Sequence, residues 1–217
     1  MESRLSPEVL FGRYIRALKE WYKDNEIKRL EPKLKLRNWN LHFFAREGVR
    51  NHDYAVWCQK LGRLKSVKSE FGDRMVGQEY LWDLCWAQPE EYIDRDKRDF
   101  LALVLEQELN DWVTPFESPR EDAWWDFTKI LFADVTVMKV FIGRSSKKGF
   151  QTIPGKYAEY YEKVCCRENV GLLLILINWK SKVFTIGGWE LTKSGEAKQL
   201  GSEVTFVHSG TRSKDFL

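Results

Sequence analysis

The chain has 217 residues, 43% of them hydrophobic and 14% aromatic, and this composition predicts one folded domain rather than a disordered chain. Its formal net charge is only +3 on 35 basic and 32 acidic side chains, so the total charge does not indicate a nucleic-acid-binding protein. The charge is polarised, however, with 16 Lys or Arg against 8 Asp or Glu at residues 13–74, and 5 against 13 at residues 89–134. This pattern is compatible with a phosphate backbone at one surface and a divalent cation at another, and equally with two solvated surfaces.

The cysteines and the apolar runs indicate the cellular setting. Cys58, Cys85, Cys165 and Cys166 form no CxxC pair and have no histidines at zinc-finger spacing. Reduced thiols are therefore expected, rather than a zinc site or a disulfide framework. The first residues show no signal-peptide pattern, and the longest apolar run, 170–177, is too short to cross a membrane. We expect a cytoplasmic protein with no membrane partner.

The amino-terminal part of the chain is predicted to be basic and partly helical. Ser6 and Pro7 provide a capping residue and a first-turn proline for a helix with apolar residues at helical spacing. Residues 28–55 leave short strands and irregular structure as open alternatives. Residues 56–71 predict an amphipathic helix with a basic outer surface, because apolar residues recur every three or four positions. We therefore divide the chain into an N-terminal basic, partly helical extension (1–55) and an α/β core (56–217).

Strands and helices follow one another through the second part of the chain. Strands are predicted from apolar, aromatic-rich or β-branched runs, and helices from capping and proline signals at Ser118-Pro119 and at Pro154. The order predicts an α/β (α+β) fold with a mixed central sheet flanked by helices and a right-handed crossover in the last strand-helix-strand unit. The predicted strands are 78–87, 100–109, 136–142, 172–179, 183–192 and 205–208.

Two of these apolar strands carry carboxylates, one within the strand and the others near its end. Asp83 is the one charge within the first strand that is expected to be buried, and Glu106 and Glu108 follow the apolar run 100–105. Neighbouring strands lie about 4.8 Å apart, and residues two apart on a strand share a face, so these acids could converge on one Mg²⁺. The alternative is that Glu108, alone or together with Glu106, lies past the strand end in solvent.

These acids and the order of the elements resemble the PD-(D/E)xK nucleases, whose restriction-endonuclease-like core runs helix, strand, strand, strand, helix, strand. The resemblance covers roughly residues 60–145. It implies that Asp83, within EYLWDLCW, and Glu106, within LVLEQEL, are metal ligands. It also implies a helical acid, for which Glu70 is the match and Glu79 the rival.

The lysine of the family motif is absent, because Glu108 occupies its position. Some restriction enzymes also carry glutamate there, and the resemblance implies that Glu108 ligates the metal or orients the attacking water. Lys129, in the segment Asp126-Phe127-Thr128-Lys129, resembles a lysine that has moved from strand to helix in some nuclease-like proteins. It would then stabilise the phosphorane-like transition state. An ordinary helical ion pair with Asp126 is the alternative.

The resemblance implies a metal-dependent endonuclease, a hydrolase that uses Mg²⁺ or Mn²⁺ to cleave phosphodiester bonds of nucleic acid. DNA is the expected substrate and partner, and a homodimer is compatible with this expectation. Arg63, Lys65 and Lys68 on the basic helix are the expected phosphate contacts.

Two other classes of protein stay open. One is a non-catalytic module that binds nucleic acid or a nucleotide and uses Trp39, Phe43 and Phe44, with the surrounding Arg and Lys residues, as a charged stacking surface. The other is an interaction protein built on a degenerate nuclease fold, which the missing lysine favours. The sequence contains no nucleotide-binding loop motif and predicts no organic cofactor.

Overall fold

The computed structural model describes residues 5–24, 32–58, 75–77, 82–88, 101–112, 122–164, 170–180 and 183–207. The helices in these ranges are α1 (Pro7–Asp24), α2 (Pro32–Arg46), α3 (Asp122–Phe132) and α4 (Gly149–Val164), and α2 continues into a π-helical turn, Glu47–Asn51. The strands are β1 (Ala55–Cys58), β2 (Met75–Gly77), β3 (Leu84–Ala87), β4 (Leu101–Trp112), β5 (Met138–Arg144), β6 (Gly171–Lys180), β7 (Val183–Leu191), β8 (Ala197–Gln199) and β9 (Val204–Val207).

These nine strands form one mixed sheet in the order β2-β1-β3-β4-β5-β6-β7-β8, with β9 paired to β7. Strand β3 is antiparallel to β1 and β4, whereas β4, β5 and β6 are mutually parallel and β7 is antiparallel to β6. Parallel neighbours need a crossover connection, and α3 and α4 lie within the two that join β4, β5 and β6. The predicted mixed α/β class is confirmed.

Alternate residues of β4 contribute to two different buried clusters. Leu103 and Leu105 pack in a cluster with residues of α1 and α2, including Tyr14. Val104 packs in a second cluster with residues of α3 and α4, including Phe127. The sheet is therefore covered by helices on both faces, which explains why its central strands are nearly continuously apolar.

Helix α1 begins as its sequence predicts. The Val9 backbone N–H donates to Ser6 Oγ at 3.3 Å, so Ser6 caps the first turn. Leu10, Tyr14 and Leu18, spaced four apart, are fully buried. The open question over residues 28–55 is answered for those that the structure describes, because 32–46 form helix α2.

The helix predicted at residues 56–71 is wrong at its start. Residues 56–58 belong to strand β1, in which Val56 and Cys58 are buried while Trp57 is half-buried. Val56 lies opposite Trp86 in β3, so pairing with the sheet determines the conformation of this short segment. Residues 59–71 lie outside the described residues.

Helix α4 begins five residues earlier than predicted. The Gly149 N–H donates to Ser146 Oγ at 3.0 Å, which makes Ser146 the capping residue. Pro154 lies inside the helix instead of at its first position, and it is buried against the sheet. Its ring nitrogen has no hydrogen to donate to the Phe150 carbonyl four residues earlier.

Strand β3 is shorter than the predicted strand, since residues 82–83 form a bend and residues 78–81 lie outside the described ranges. Strand β8 was not predicted. Among the described helices, none combines the length and apolar character that crossing a membrane requires.

Candidate functional site

The two glutamates of the apolar run lie inside strand β4. Glu106 and Glu108 are only 4% and 7% exposed, and the strand continues beyond them to residue 112. The alternative that they lie past the strand end in solvent is therefore wrong. They alternate with Gln107, so both project from the face of β4 that also carries Val104. Glu108 lies beside Gly143 of the neighbouring strand β5.

Asp83 is brought next to Glu106 by the pairing of β3 with β4. Leu84 pairs with Leu105, and Asp83 comes directly before Leu84 in the chain. The Asp83 carboxylate is buried and accepts the Gln107 backbone N–H through Oδ2 at 3.2 Å. The predicted convergence of Asp83 and Glu106 across neighbouring strands is thus present in the structure.

Glu106 titrates far above its ordinary range. Burial, and after it the repulsion of the neighbouring Asp83 carboxylate, raises the pKa of Glu106 to about 8, although Lys129 opposes the shift. A carboxyl group with this pKa is largely protonated at neutral pH when no additional cation lies beside it. The shift therefore records how unfavourable two adjacent buried carboxylates are.

Lys129 on α3 contacts Glu106. Its Nζ lies 3.0 Å from Glu106 Oε1 and 2.7 Å from Asp126 Oδ1 on its own helix. Burial alone would lower the pKa of Lys129, but the hydrogen bond to Asp126 and the attraction to Glu106 together raise it. Both the contact with the acidic strand and the helical ion pair with Asp126 are therefore present.

A chain of buried hydrogen bonds connects β4 to helices α1 and α2. Tyr14 Oη donates to Asn40 Oδ1 at 2.9 Å, and Asn40 Nδ2 donates to Gln107 Oε1 at 3.1 Å. Gln107 Nε2 donates in turn to the Arg37 carbonyl at 3.2 Å. The Tyr14, Asn40 and Gln107 side chains are at most 1% exposed. This chain fixes the backbone of β4 between the two glutamates.

Arg37 belongs to the site although no sequence signal indicated it. Its Nη2 lies 3.6 Å from Asp83 Oδ1, an ion-pair separation that is longer than a direct hydrogen bond. Arg37 lies in the segment 28–55, for which the sequence left strands and irregular structure open. The side of the chain on which Arg37 lies could therefore not be predicted. Asn40 and Gln107 were missed for a similar reason, since only tertiary packing brings them together.

Other expected site residues cannot be placed. Glu70 and its rival Glu79 lie outside the described residues, as do the predicted phosphate contacts Arg63, Lys65 and Lys68. Within the described ranges, no group of three or more His, Cys, Asp or Glu side chains is arranged to hold a metal ion. The donor set is the carboxylate pair Asp83 and Glu106, with Glu108 on the same face of β4.

Two of the three aromatic residues expected to form a stacking surface line a cavity. Trp39 and Phe43 contribute to a cavity of about 680 Å³ between α1, α2 and the π-helical turn. Phe44 is fully buried in the core, and its backbone carbonyl accepts the indole N–H of Trp86 at 2.9 Å. Phe44 therefore cannot act as a stacking platform.

Comparison with known proteins finds only short similarities. The chain is 35% identical over 65 residues to Rho guanine nucleotide exchange factor 25 from Rattus norvegicus, Mus musculus and Homo sapiens. The match covers 30% of this chain but only about a tenth of the length of those relatives. No protein-family model matches the chain. No solved structure matches it at a significant level.

Proposed function

We propose that the protein is a metal-dependent endonuclease that hydrolyses phosphodiester bonds of nucleic acid, with DNA as the preferred substrate. The observation that carries the proposal is the placement of Asp83 beside Glu106, both buried, with Lys129 in contact with Glu106. Sites that cleave phosphodiesters with a metal ion require convergent hard oxygen donors of this kind. A nearby ammonium group would offset negative charge on the transferring phosphate.

The order of the described elements also supports a restriction-endonuclease-like core. Helix α2, strands β1, β3 and β4, helix α3 and strand β5 follow one another in the chain, with β2 as an additional edge strand beside β1. Asp83 lies directly before β3 and Glu106 lies on β4, and these strands correspond to the second and third strands of that succession. These are the strands from which the resemblance takes its Asp and its acidic residue.

The donor chemistry of the pair fits Mg²⁺ or Mn²⁺. Asp83 and Glu106 would hold the ion, because a divalent cation would relieve their mutual repulsion and keep Glu106 ionised. The ion would supply Lewis-acid activation of water and neutralisation of the scissile phosphate. Glu108 would orient the attacking water from the same face of β4, and Lys129 would offset negative charge on the phosphate.

The test compares cleavage of plasmid, single-stranded DNA and RNA by wild type, Asp83→Ala and Glu106→Gln in Mg²⁺ or Mn²⁺. Each substitution removes one donor of the pair, so we expect at least about a hundredfold loss of cleavage and loss of metal binding by calorimetry. Glu108→Lys restores the usual residue of the family and should retain measurable cleavage.

Glu203→Gln is the matched control, because Glu203 is an exposed acid near the end of the described chain. It should cleave and bind metal like the wild type. Wild-type cleavage by both single variants, Asp83→Ala and Glu106→Gln, would end the proposal. A dead Glu108→Lys variant beside a normal Glu106→Gln variant would instead transfer the ligand role from Glu106 to Glu108.

A second candidate is a nucleic-acid-binding module without catalytic activity. It is favoured by the protein contacts that the carboxylates already make, since Lys129 compensates charge at Glu106 while Arg37 and the Gln107 N–H compensate Asp83. Such contacts also stabilise a fold without any metal. Nucleic-acid binding that needs no divalent cation, combined with no cleavage in any of the three substrates, would select this candidate.

A further inference from the structure

The cavity between α1 and α2 has a floor of aromatic rings. Trp21 of α1 and Trp39 of α2 lie with ring centroids 5.7 Å apart, and Trp39 stacks on Phe43 at 5.6 Å with an interplanar angle of 20°. Both tryptophans are half-buried, so each ring has one part packed on the core and another part open to the cavity. Aromatic rings that are partly open to a cavity can accept a flat π-system by stacking.

The rim of the same cavity is basic. His42, Arg46 and Arg50 line it and are spaced four apart along α2 and the π-helical turn, so they follow one side of the helix. Arg46 and Arg50 are exposed, and His42 is half-buried. An arginine fork is suited to bidentate contact with phosphate oxygens.

Two carboxylates also line the cavity, and one of them is already neutralised. Glu47 accepts a hydrogen bond from Arg13 at 3.0 Å, and Glu20 lies on α1. The lining thus combines two arginines and a histidine with two carboxylates, of which Glu47 is paired with Arg13. The exposed guanidinium groups of Arg46 and Arg50 are the positions at which an anionic group would bind.

The dimensions suit one nucleotide unit. A volume of about 680 Å³ lies in the range of small-molecule sites. A planar ring system on the aromatic floor with an anionic group at the arginine rim is the chemistry of a nucleobase that carries a phosphate.

We propose that this cavity binds a nucleotide, with the base stacked on Trp39 and the phosphate held by Arg46 and Arg50. The nucleotide has two sources with the same chemistry: a free mononucleotide, or one unit of a single-stranded nucleic acid. Helix α2 connects the cavity to the acidic site, because Asn38 lines the cavity while Arg37, the preceding residue, contacts Asp83. The binding itself needs no metal and does not depend on hydrolysis.

The experiment measures fluorescence polarisation of a labelled oligothymidylate with the full chain in EDTA, followed by competition with AMP and UMP. Arg46→Ala/Arg50→Ala should weaken binding by about tenfold or more, because it removes the phosphate contacts. Lys156→Ala/Lys198→Ala, at two exposed positions away from the cavity, makes the same change in net charge and should stay within about twofold of wild type. Trp39→Leu, checked for folding by circular dichroism, should also weaken binding by about tenfold.

The competition decides the source of the nucleotide. Displacement by AMP or UMP identifies a mononucleotide site, and binding of the oligonucleotide alone identifies a single-strand site. No binding of either ligand, or equal effects of the arginine and lysine double variants, would overturn the proposal, as would full affinity in folded Trp39→Leu. Because the binding is measured in EDTA and requires no cleavage, this proposal and the endonuclease proposal fail independently.

Discussion

Glu106 has 4% of its surface exposed and lies beside a second buried carboxylate. Folding therefore favours its protonated form, and the pKa of about 8 follows from burial first and from Asp83 second. Cys85 illustrates the same effect of burial without a functional implication, since its pKa is raised to about 12 by burial and by the nearby Cys58. At Glu106, unlike at Cys85, a bound cation would reverse the shift.

The pH dependence of stability should reveal this strained carboxyl group. The pKa of Glu106 is higher in the folded protein than in the unfolded chain. Its contribution to the free energy of unfolding is therefore fully present below about pH 4.5 and is lost as the pH rises toward about 8. Without divalent cations, we expect the free energy of unfolding of the wild type to fall relative to Glu106→Gln by a few kcal/mol across that window. Urea denaturation at about pH 5, 6, 7 and 8 measures the difference.

Glu203→Gln is the reference for a change at an exposed acid. Its free energy of unfolding should depend on pH in the same way as that of the wild type. Parallel curves for wild type and Glu106→Gln would show that Glu106 has an ordinary pKa. Added Mg²⁺ should restore stability to the wild type at about pH 8 and leave Glu106→Gln unchanged if the ion binds the carboxylate pair.

Helix α2 and strand β4 are joined by a buried hydrogen bond between the side chains of Asn40 and Gln107. Asn40 Nδ2 donates to Gln107 Oε1, and Tyr14 of α1 donates to the Asn40 oxygen. A buried polar network of this type is stabilising only when every member has its partner. The network also holds Gln107 where its backbone N–H reaches Asp83.

Removing both facing amides together should cost less than the sum of the costs of removing each one alone. Asn40→Leu leaves Tyr14 Oη and Gln107 Oε1 buried without these partners, and we expect a loss of about 2–4 kcal/mol in the free energy of unfolding. Asn40→Leu/Gln107→Leu removes the facing amide as well, so its loss should be smaller than the sum of the two single changes by about 1 kcal/mol or more. A double-mutant cycle in urea gives the coupling energy, and strict additivity would show that the amides do not interact.

The sequence predicts the elements whose pattern is long and regular. Helix α1 and strands β4, β5 and β6 follow from their apolar periodicity, and the juxtaposition of Asp83 with Glu106 follows from two adjacent strands with acids at matching positions. Strand β1 was not predicted, because a run of four residues is compatible with both the helical and the strand spacing of apolar residues. Only pairing with β3 selects the extended conformation. The roles of Arg37 and Gln107 could not be predicted for the same reason, since they depend on how α2 packs on the sheet.

Helix α2 places two different chemical environments on one molecule. Arg37 faces the buried carboxylates at the sheet, and His42, Arg46 and Arg50 border the cavity on the α1 side. The polarised charge along the chain adds a third feature, the basic segment that contains Arg63, Lys65 and Lys68, which lies outside the described residues. In the proposed endonuclease, this segment would supply sequence-independent contacts with the phosphate backbone.

The salt dependence of DNA binding tests that contribution for the whole molecule. Arg63→Ala/Lys65→Ala/Lys68→Ala should weaken duplex DNA binding across unrelated sequences, because phosphate contacts carry no base information. Each contact that is lost should flatten the slope of log affinity against log salt by about 0.9, or by up to about 3 for the three residues. The control is Lys156→Ala/Lys163→Ala/Lys198→Ala, which makes the same change in net charge at exposed residues and should leave the slope within about 0.5 of wild type. An unchanged slope in the first variant would place the DNA-binding surface on another part of the molecule, and equal flattening in both would mean that net charge alone drives the binding.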